Sequence, residues 1–319
     1  MVESAWWHPV AAERDLRDQP LGVRVLGREL VLWRDSAERV HAFDDRCPHR
    51  GAKLSLGRVH GQDLQCGYHG WRFDTAGRCT AIPALPRFEP PASSAVGRHS
   101  AASAHGMLWV GLDGLQGAPR RLANLPAREV VCGPFDAATA APRVVENFLD
   151  MAHFGFVHEG FLGDRRHTEV PDYEVTLTPD GRPLAPHYRA WQPQASATAG
   201  EGAWVEYRYE VLSPFAALLH KRAKDLADAP DEAYALWCCP TDAESTRVWF
   251  TLFTSDATTP DEALRAFQQT IFDQDRPIIE SQRPRRLPLA GGEAASAADR
   301  LSAAYRRYLK VMGISYGVC

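Results

Sequence analysis

Two short segments, Cys47-Pro-His49 and Cys66-Gly-Tyr-His69, each offer one thiolate and one imidazole, and 16 residues separate His49 from Cys66. Four metal-binding side chains at such spacing imply two loops that close on a common centre, which constrains the fold more than any other feature. Zinc sites usually pair Cys with Cys in one loop and His with His in the other. One of each per loop instead suits a two-iron cluster, both cysteines going to one iron and both histidines to the other. Neutral imidazoles lower the negative charge at that iron and raise its potential, so the centre passes single electrons. A mixed-ligand structural zinc site is the plainer alternative.

Around these loops the pattern is that of short strands. GVRVLGRELVLWRD and ERVHAFDD are β-like from about residue 22, LQCGYHGWRF and MLWVGL follow, and ALPRFEPPASS reads as a connecting loop. After a second loop around GLQGAPRR the character changes. A helical stretch lies near APRVVENFLDMAHF, and longer strands follow in YEVTLTP, WVEYRYEVL, AYALWCCP and RVWFTLF. A late helix is expected from Thr259 as N-cap, with Pro260 in its first turn and Glu262 bonding back to the cap, running to Pro277, which should kink or end it. EAASAADRLSAAYRRYLKVMG is helical in pattern. The expected class is α+β, an all-β unit over 1–118 followed by an antiparallel sheet with helices over 119–319.

With 36 Lys and Arg against 40 Asp and Glu, a net charge of −4 gives no reason to expect nucleic acid or an anionic membrane surface as a partner. No signal-peptide pattern opens the chain and no run of about 18 apolar residues follows, so a cytoplasmic location is expected. Seven cysteines at irregular spacing fit reduced thiols and metal ligands; Cys238 and Cys239 read as small hydrophobes on alternate faces of a strand.

A second constellation lies in RVVENFLDMAHFGFVHEG. Glu146, Asp150 and His153 fall on one face of a helix and Val144, Phe148 and Met151 on the other. His158 is five residues beyond His153, about 140° round a continuous helix, so both can reach one ion only if the helix breaks, for which Gly155 is the candidate. Two histidines on a polar face are otherwise solvated. A carboxylate would complete a two-His, one-carboxylate triad for ferrous iron, with positions left open for oxygen. In the late helix Leu264, Phe267, Ile271, Ile278 and Ile279 trace an apolar stripe that contains Asp275, whereas Asp273 projects from the far side. A cap or salt bridge is the alternative role for Asp275.

The segment CPHRGAKLSLGRVHGQDLQCGYHGWRFD resembles the cluster-binding region of Rieske proteins, in particular Rieske non-haem iron oxygenases. The gap, the Pro after the first Cys, the Arg-Gly after the first His and the YHGW carry the resemblance. Asn147, Asp150, His153 and His158 match that family's Asn-x-x-Asp-x-x-His-x-x-x-x-His segment, and FDQDRPIIESQ places its third ligand at Asp275, with Glu280 and Gln282 following and Asp273 the alternative. The resemblance implies a Rieske [2Fe-2S] domain, a helix-grip catalytic domain and mononuclear Fe(II). It gives Asp150 a bridging role between His69 of one subunit and His153 of the next, in a homotrimer arranged head to tail.

It also implies O2 as co-substrate and electrons from NAD(P)H. With no GxGxxG after a strand, a separate reductase, with or without a ferredoxin, must deliver them. At 319 residues the chain resembles the compact homotrimeric monooxygenase and demethylase branch, so hydroxylation or O- or N-demethylation of a small aromatic substrate is expected. Ring cis-dihydroxylation is the runner-up, and an electron carrier or redox sensor the non-enzymatic alternative. The pocket lining is expected between about 165 and 255. His220, Lys221 and Arg222 are candidates for an anionic group, although a three-residue basic run usually marks a solvated loop.

Overall fold

A computed structural model describes residues 1–113, 115, 117–194, 202–223 and 231–319. Gly114 and Gln116, in the second expected loop, lie outside the described residues, as do parts of the expected pocket lining at 195–201 and 224–230. The chain divides into two compact units, Met1–Arg121 and Leu122–Cys319.

The first unit contains β1 (Trp7–Ala12), β2 (Leu21–Val25), β3 (Arg28–Arg34), β4 (Val40–Asp44), β5 (Arg58–His60), β6 (Asp63–Gln65), β7 (Arg72–Phe73), β8 (Cys79–Ala81), β9 (Arg98–Ala104) and β10 (Met107–Gly111). Six form an antiparallel sheet in the order β1-β10-β9-β4-β3-β2, and β5 to β8 form a small meander. β1 was not expected from the sequence, because His8 and Pro9 interrupt its apolar pattern. Val31, Trp33, Phe43, Leu54, Leu64 and Phe73 bury a core that includes the thiols of Cys47 and Cys66.

The second unit contains β11 (Arg128–Ala137), α1 (Ala141–Leu149), α2 (Phe154–Val157), β12 (Thr176–Leu177), β13 (Pro183–Gln192), β14 (Ala203–Ser213), β15 (Ala216–Arg222), β16 (Glu232–Asp242), β17 (Ser245–Thr254), α3 (Asp261–Ser281) and α4 (Arg300–Val311). Its seven strands pair antiparallel in the order β11-β17-β16-β15-β14-β13-β12. Helix α3 packs on β11, where the Phe135 and Phe272 rings stack at 4.9 Å. Arg306 of α4 clamps Glu146 of α1 through two hydrogen bonds of 2.5 and 2.8 Å. Cys238 and Cys239 are both buried in β16. Among the described residues no helix is long and apolar enough to cross a membrane.

Several local expectations need correction. Helix α1 stops at Leu149, so Glu146, Asp150 and His153 do not share one helical face, and the break falls at Asp150 rather than at Gly155. Asp150 turns extended (φ −81°, ψ 133°), and its Oδ1 accepts from the Ala152 N–H at 2.8 Å, a local bond that competes with helix continuation. Helix α3 has Pro260 rather than Thr259 at its cap position. Asp256 takes the Thr259 N–H, Arg128 donates to the Thr259 carbonyl, and the side chain of Glu262 lies in solvent. The helix also passes through Pro277 to Ser281. Ile278 is 48% exposed and lies off the buried stripe, which instead runs Leu264, Gln268, Ile271, Phe272 and Ile279. The basic run 220–222 is strand, not loop.

Candidate metal centres and substrate cavity

The two Cys/His loops of the first unit close in the same way. Cys47 N–H donates to the Ala52 carbonyl and Gly51 N–H to the Cys47 carbonyl, both at 2.8 Å. Cys66 N–H likewise donates to the Trp71 carbonyl at 2.8 Å, and Gly70 N–H to the Cys66 carbonyl at 3.1 Å. Each loop reverses at a glycine four residues after its cysteine, with φ of 71° at Gly51 and 72° at Gly70, a conformation costly for side chains with a Cβ. Both thiols are buried and both imidazoles lie further out, their rings 4.5 Å apart. Trp71 stacks on His49 at 4.6 Å and 5°, and exposed Tyr68 packs against His69 at 3.8 Å.

The donor chemistry of these loops suits a cluster. Burial and the neighbouring Cys66 raise the Cys47 thiol pKa to about 11, so cationic metal beside it would be needed to hold it as a thiolate. His49 Nδ1 is buried without a hydrogen-bond partner.

In the second unit His153 and His158 bracket the single turn of α2, and Asp275 reaches them from α3. His153 Nε2 and His158 Nε2 are 3.2 Å apart, and Asp275 Oδ1 lies 3.6 and 3.2 Å from them. The opposite ring nitrogens fix the tautomers. His153 Nδ1 faces Asp150 Oδ2 at 3.3 Å and His158 Nδ1 faces Gln274 Oε1 at 2.8 Å, so both Nδ1 atoms donate and both Nε2 lone pairs turn inward. Asn147 Nδ2 donates to Asp275 Oδ1 at 3.3 Å. Three ligand atoms converging within 3.2–3.6 Å of one another suit a cation. Their separations are close to the roughly 3 Å edge of an octahedral face with metal–ligand bonds of about 2.1 Å.

Burial works against charge on His158, but Asp275 and Gln274 outweigh it and raise its pKa. Burial likewise pushes the Asp150 carboxyl up, yet His153 and the local backbone N–H groups hold it below its ordinary value. Asp273 points away, paired with Arg276 at 2.9 Å. Glu280 accepts from the Ala138 N–H at 2.8 Å, tying α3 to the chain just after β11. Gln274 was not singled out from the sequence. Its signal is its position beside Asp275, which only the orientation of His158 makes meaningful.

The triad opens into a cavity walled by Phe148, Phe154, Tyr207, Tyr209, Phe250 and Phe267 with Gln192, Lys221 and Gln268 among them. Part of this lining comes from the expected stretch 165–255, but α1, α3 and the segment 153–162 around α2 supply the remainder.

An all-β unit with paired Cys/His loops and a sheet-and-helix unit with a two-His, one-carboxylate triad define a Rieske-type oxygenase. Residues 6–96 match the Rieske [2Fe-2S] domain family, and 137–313 match the vanillate O-demethylase oxygenase C-terminal domain family. Methylxanthine N1-demethylase NdmA of Pseudomonas putida is 32% identical over 96% of this chain and 88% of its own. The structure of NdmA from Pseudomonas putida CBB5 with caffeine has a TM-score of 0.84 at 30% identity, covering 97% of this chain and 90% of that one. The 3-chlorobenzoate-3,4-dioxygenase oxygenase subunit of Comamonas testosteroni is more distant, 30% identical over 77% of this chain and 57% of its own.

The chain belongs to the Rieske non-haem iron oxygenases. It is an oxidoreductase of the monooxygenase and demethylase kind, uses a [2Fe-2S] cluster, mononuclear iron and O2, acts on a small molecule, and receives electrons from a separate reductase.

Proposed function

We propose that Cys47, His49, Cys66 and His69 hold the cluster, that His153, His158 and Asp275 hold the iron, and that the chain removes an N-methyl group from a flat heteroaromatic substrate. The observation that carries this reading is the convergence of the triad's acceptors at the end of a ring-walled cavity. The likeness to methylxanthine demethylases supports the choice of an N-methyl group.

Bound iron supplies oxygen activation beside the substrate methyl. Overall, N–CH3, O2, two electrons and two protons give N–CH2OH and water, and the N–CH2OH group then releases formaldehyde to leave N–H. The chain's own residues orient and enclose. Asp150 and Gln274 lock the imidazoles with their lone pairs inward, Asn147 holds one lobe of the Asp275 carboxylate, and the aromatic walls exclude water.

We assign Asp150 a second role, accepting a hydrogen bond from His69 of the next protomer in a head-to-tail homotrimer. In support, His69 is exposed in its own unit, and the Asp150 side chain is 32% exposed while it holds His153. The reductase is read as NAD(P)H-dependent, with or without a ferredoxin, and the location as cytoplasmic, where the seven cysteines stay reduced.

The test supplies the enzyme with reductase and NAD(P)H and weighs the products from N-methyl heteroaromatics, methoxyarenes and plain aromatic acids. Loss of one CH2 with formaldehyde is the expected result, whereas a diol retaining both oxygen atoms overturns it. Asp150→Asn should keep both metals and lose most turnover. Unchanged coupled turnover in that variant removes the bridge.

A further inference from the structure

Strand alternation separates the basic run of β15. His220, Lys221 and Arg222 all line an outer hollow, but Lys221 shares a face with Leu219 and, alone of the three, also lines the catalytic cavity with Leu219, His158 and Asp275. In register, Lys221 sits between Tyr207 of β14 and Glu232 of β16. Its side chain is 5% exposed and that of Glu232 is 3% exposed.

The pair is loose. Lys221 Nζ lies 3.8 Å from Glu232 Oε2, beyond hydrogen-bond distance, and that oxygen already accepts from the Tyr234 hydroxyl at 3.2 Å. Among the described lining residues Lys221 is the one lysine or arginine, and Glu232 is not part of the lining. Lys221 therefore borders both the catalytic cavity and the outer hollow, whereas Glu232 borders only the outer hollow. Burial lowers the Lys221 pKa against the pull of Glu232, the expected cost of an ammonium with an incomplete shell. A second polar group is unfilled in the same wall. Gln192 is fully buried, its Nε2 donates to the Leu162 carbonyl at 3.2 Å, and its Oε1 has no partner.

We infer that Lys221 is the specificity-determining residue of this cavity, selecting aromatic substrates that carry an oxyanion, in its stable form a carboxylate, over their neutral counterparts. An ammonium has three donors, and an anionic oxygen completes the shell that Glu232 leaves open. Glu232 acts through Lys221, favouring its charged form before substrate arrives. The inference rests on the demethylase reading only for which group is removed.

The test uses the holoenzyme with an N-methylpyridone carboxylate and the matching carboxamide, measuring Kd by calorimetry and formaldehyde separately. The carboxylate should bind about tenfold tighter or more. That ratio should collapse toward one in Lys221→Met and in Lys221→Met/Glu232→Gln, the double variant avoiding an orphaned buried carboxylate. Equal affinities in the unaltered protein, or a ratio preserved in both variants, overturn the inference. A carboxylate preference lost with Lys221 but without formaldehyde upholds Lys221 and overturns the N-demethylase reading. Formaldehyde from both compounds without preference does the reverse.

Discussion

In the first unit all four candidate ligands come from residues 47–69, on two loops that close with the same backbone bonds and the same kind of glycine. In the second, Asn147 and Asp275 stand 128 positions apart and Gln274 is 116 from His158, so that site exists only when α3 lies against the turn carrying the histidines. The thiols of the first site are part of their unit's hydrophobic core. The second site lines a cavity, its candidate ligands held by polar neighbours. A cluster bound in the first way supports its unit, whereas an iron bound in the second is carried by a fold that stands without it.

The largest effect that could break this contrast is loss of a ligand from each site. Cys66→Ser should abolish cluster absorbance and activity and lower the melting temperature of the first unit. Asp275→Ala should abolish turnover with cluster absorbance and melting unchanged, iron falling from about three to about two per chain by metal analysis. Asp273→Ala should stay within about twofold of the parent in kcat/KM, because its Arg276 pair is a surface one. Destabilisation by Asp275→Ala equal to that by Cys66→Ser would erase the distinction.

A smaller effect sharpens it. Gln274→Leu leaves His158 Nδ1 without its acceptor and should weaken iron binding about 10- to 100-fold in a chelator competition, with the cluster untouched.

The smallest effect concerns acid. Burial lowers fully buried His8 in β1 to about 4, against its ordinary 6.5. Below 6.5 the unfolded chain binds a proton that the folded one refuses, so stability present above 6.5 is lost as pH falls, and the loss is complete near 4. Melting of the first unit should fall across that window, and His8→Gln should remove about 5 °C of the drop.

Legibility in the sequence follows the same division. The paired Cys/His loops and the strands flanking them can be read because their determinants lie within a few residues: a ligand, a reversing glycine, the next ligand. The helical stretch of α1 could be read, but not its end, because Asp150 competes for backbone through a local hydrogen bond that helix periodicity does not register. Strands β11 and β13 escaped notice because Gly133-Pro134 and Pro183 with Pro186 interrupt their patterns. In β15 the run Ala216-Ala217-Leu218-Leu219 shows no alternation, and the basic residues after it suggested a loop.

The sequence by itself determined which residues could serve as ligands, because metal chemistry admits few side-chain types and a short loop fixes their spacing. Tertiary structure decided that Asp275 rather than Asp273 faces the histidines, that Gln274 holds one of them, and that Lys221 alone of its basic run faces the cavity. Those outcomes depend on the rotation of a helix about its axis and the face a strand presents, and packing between residues distant in the chain sets both.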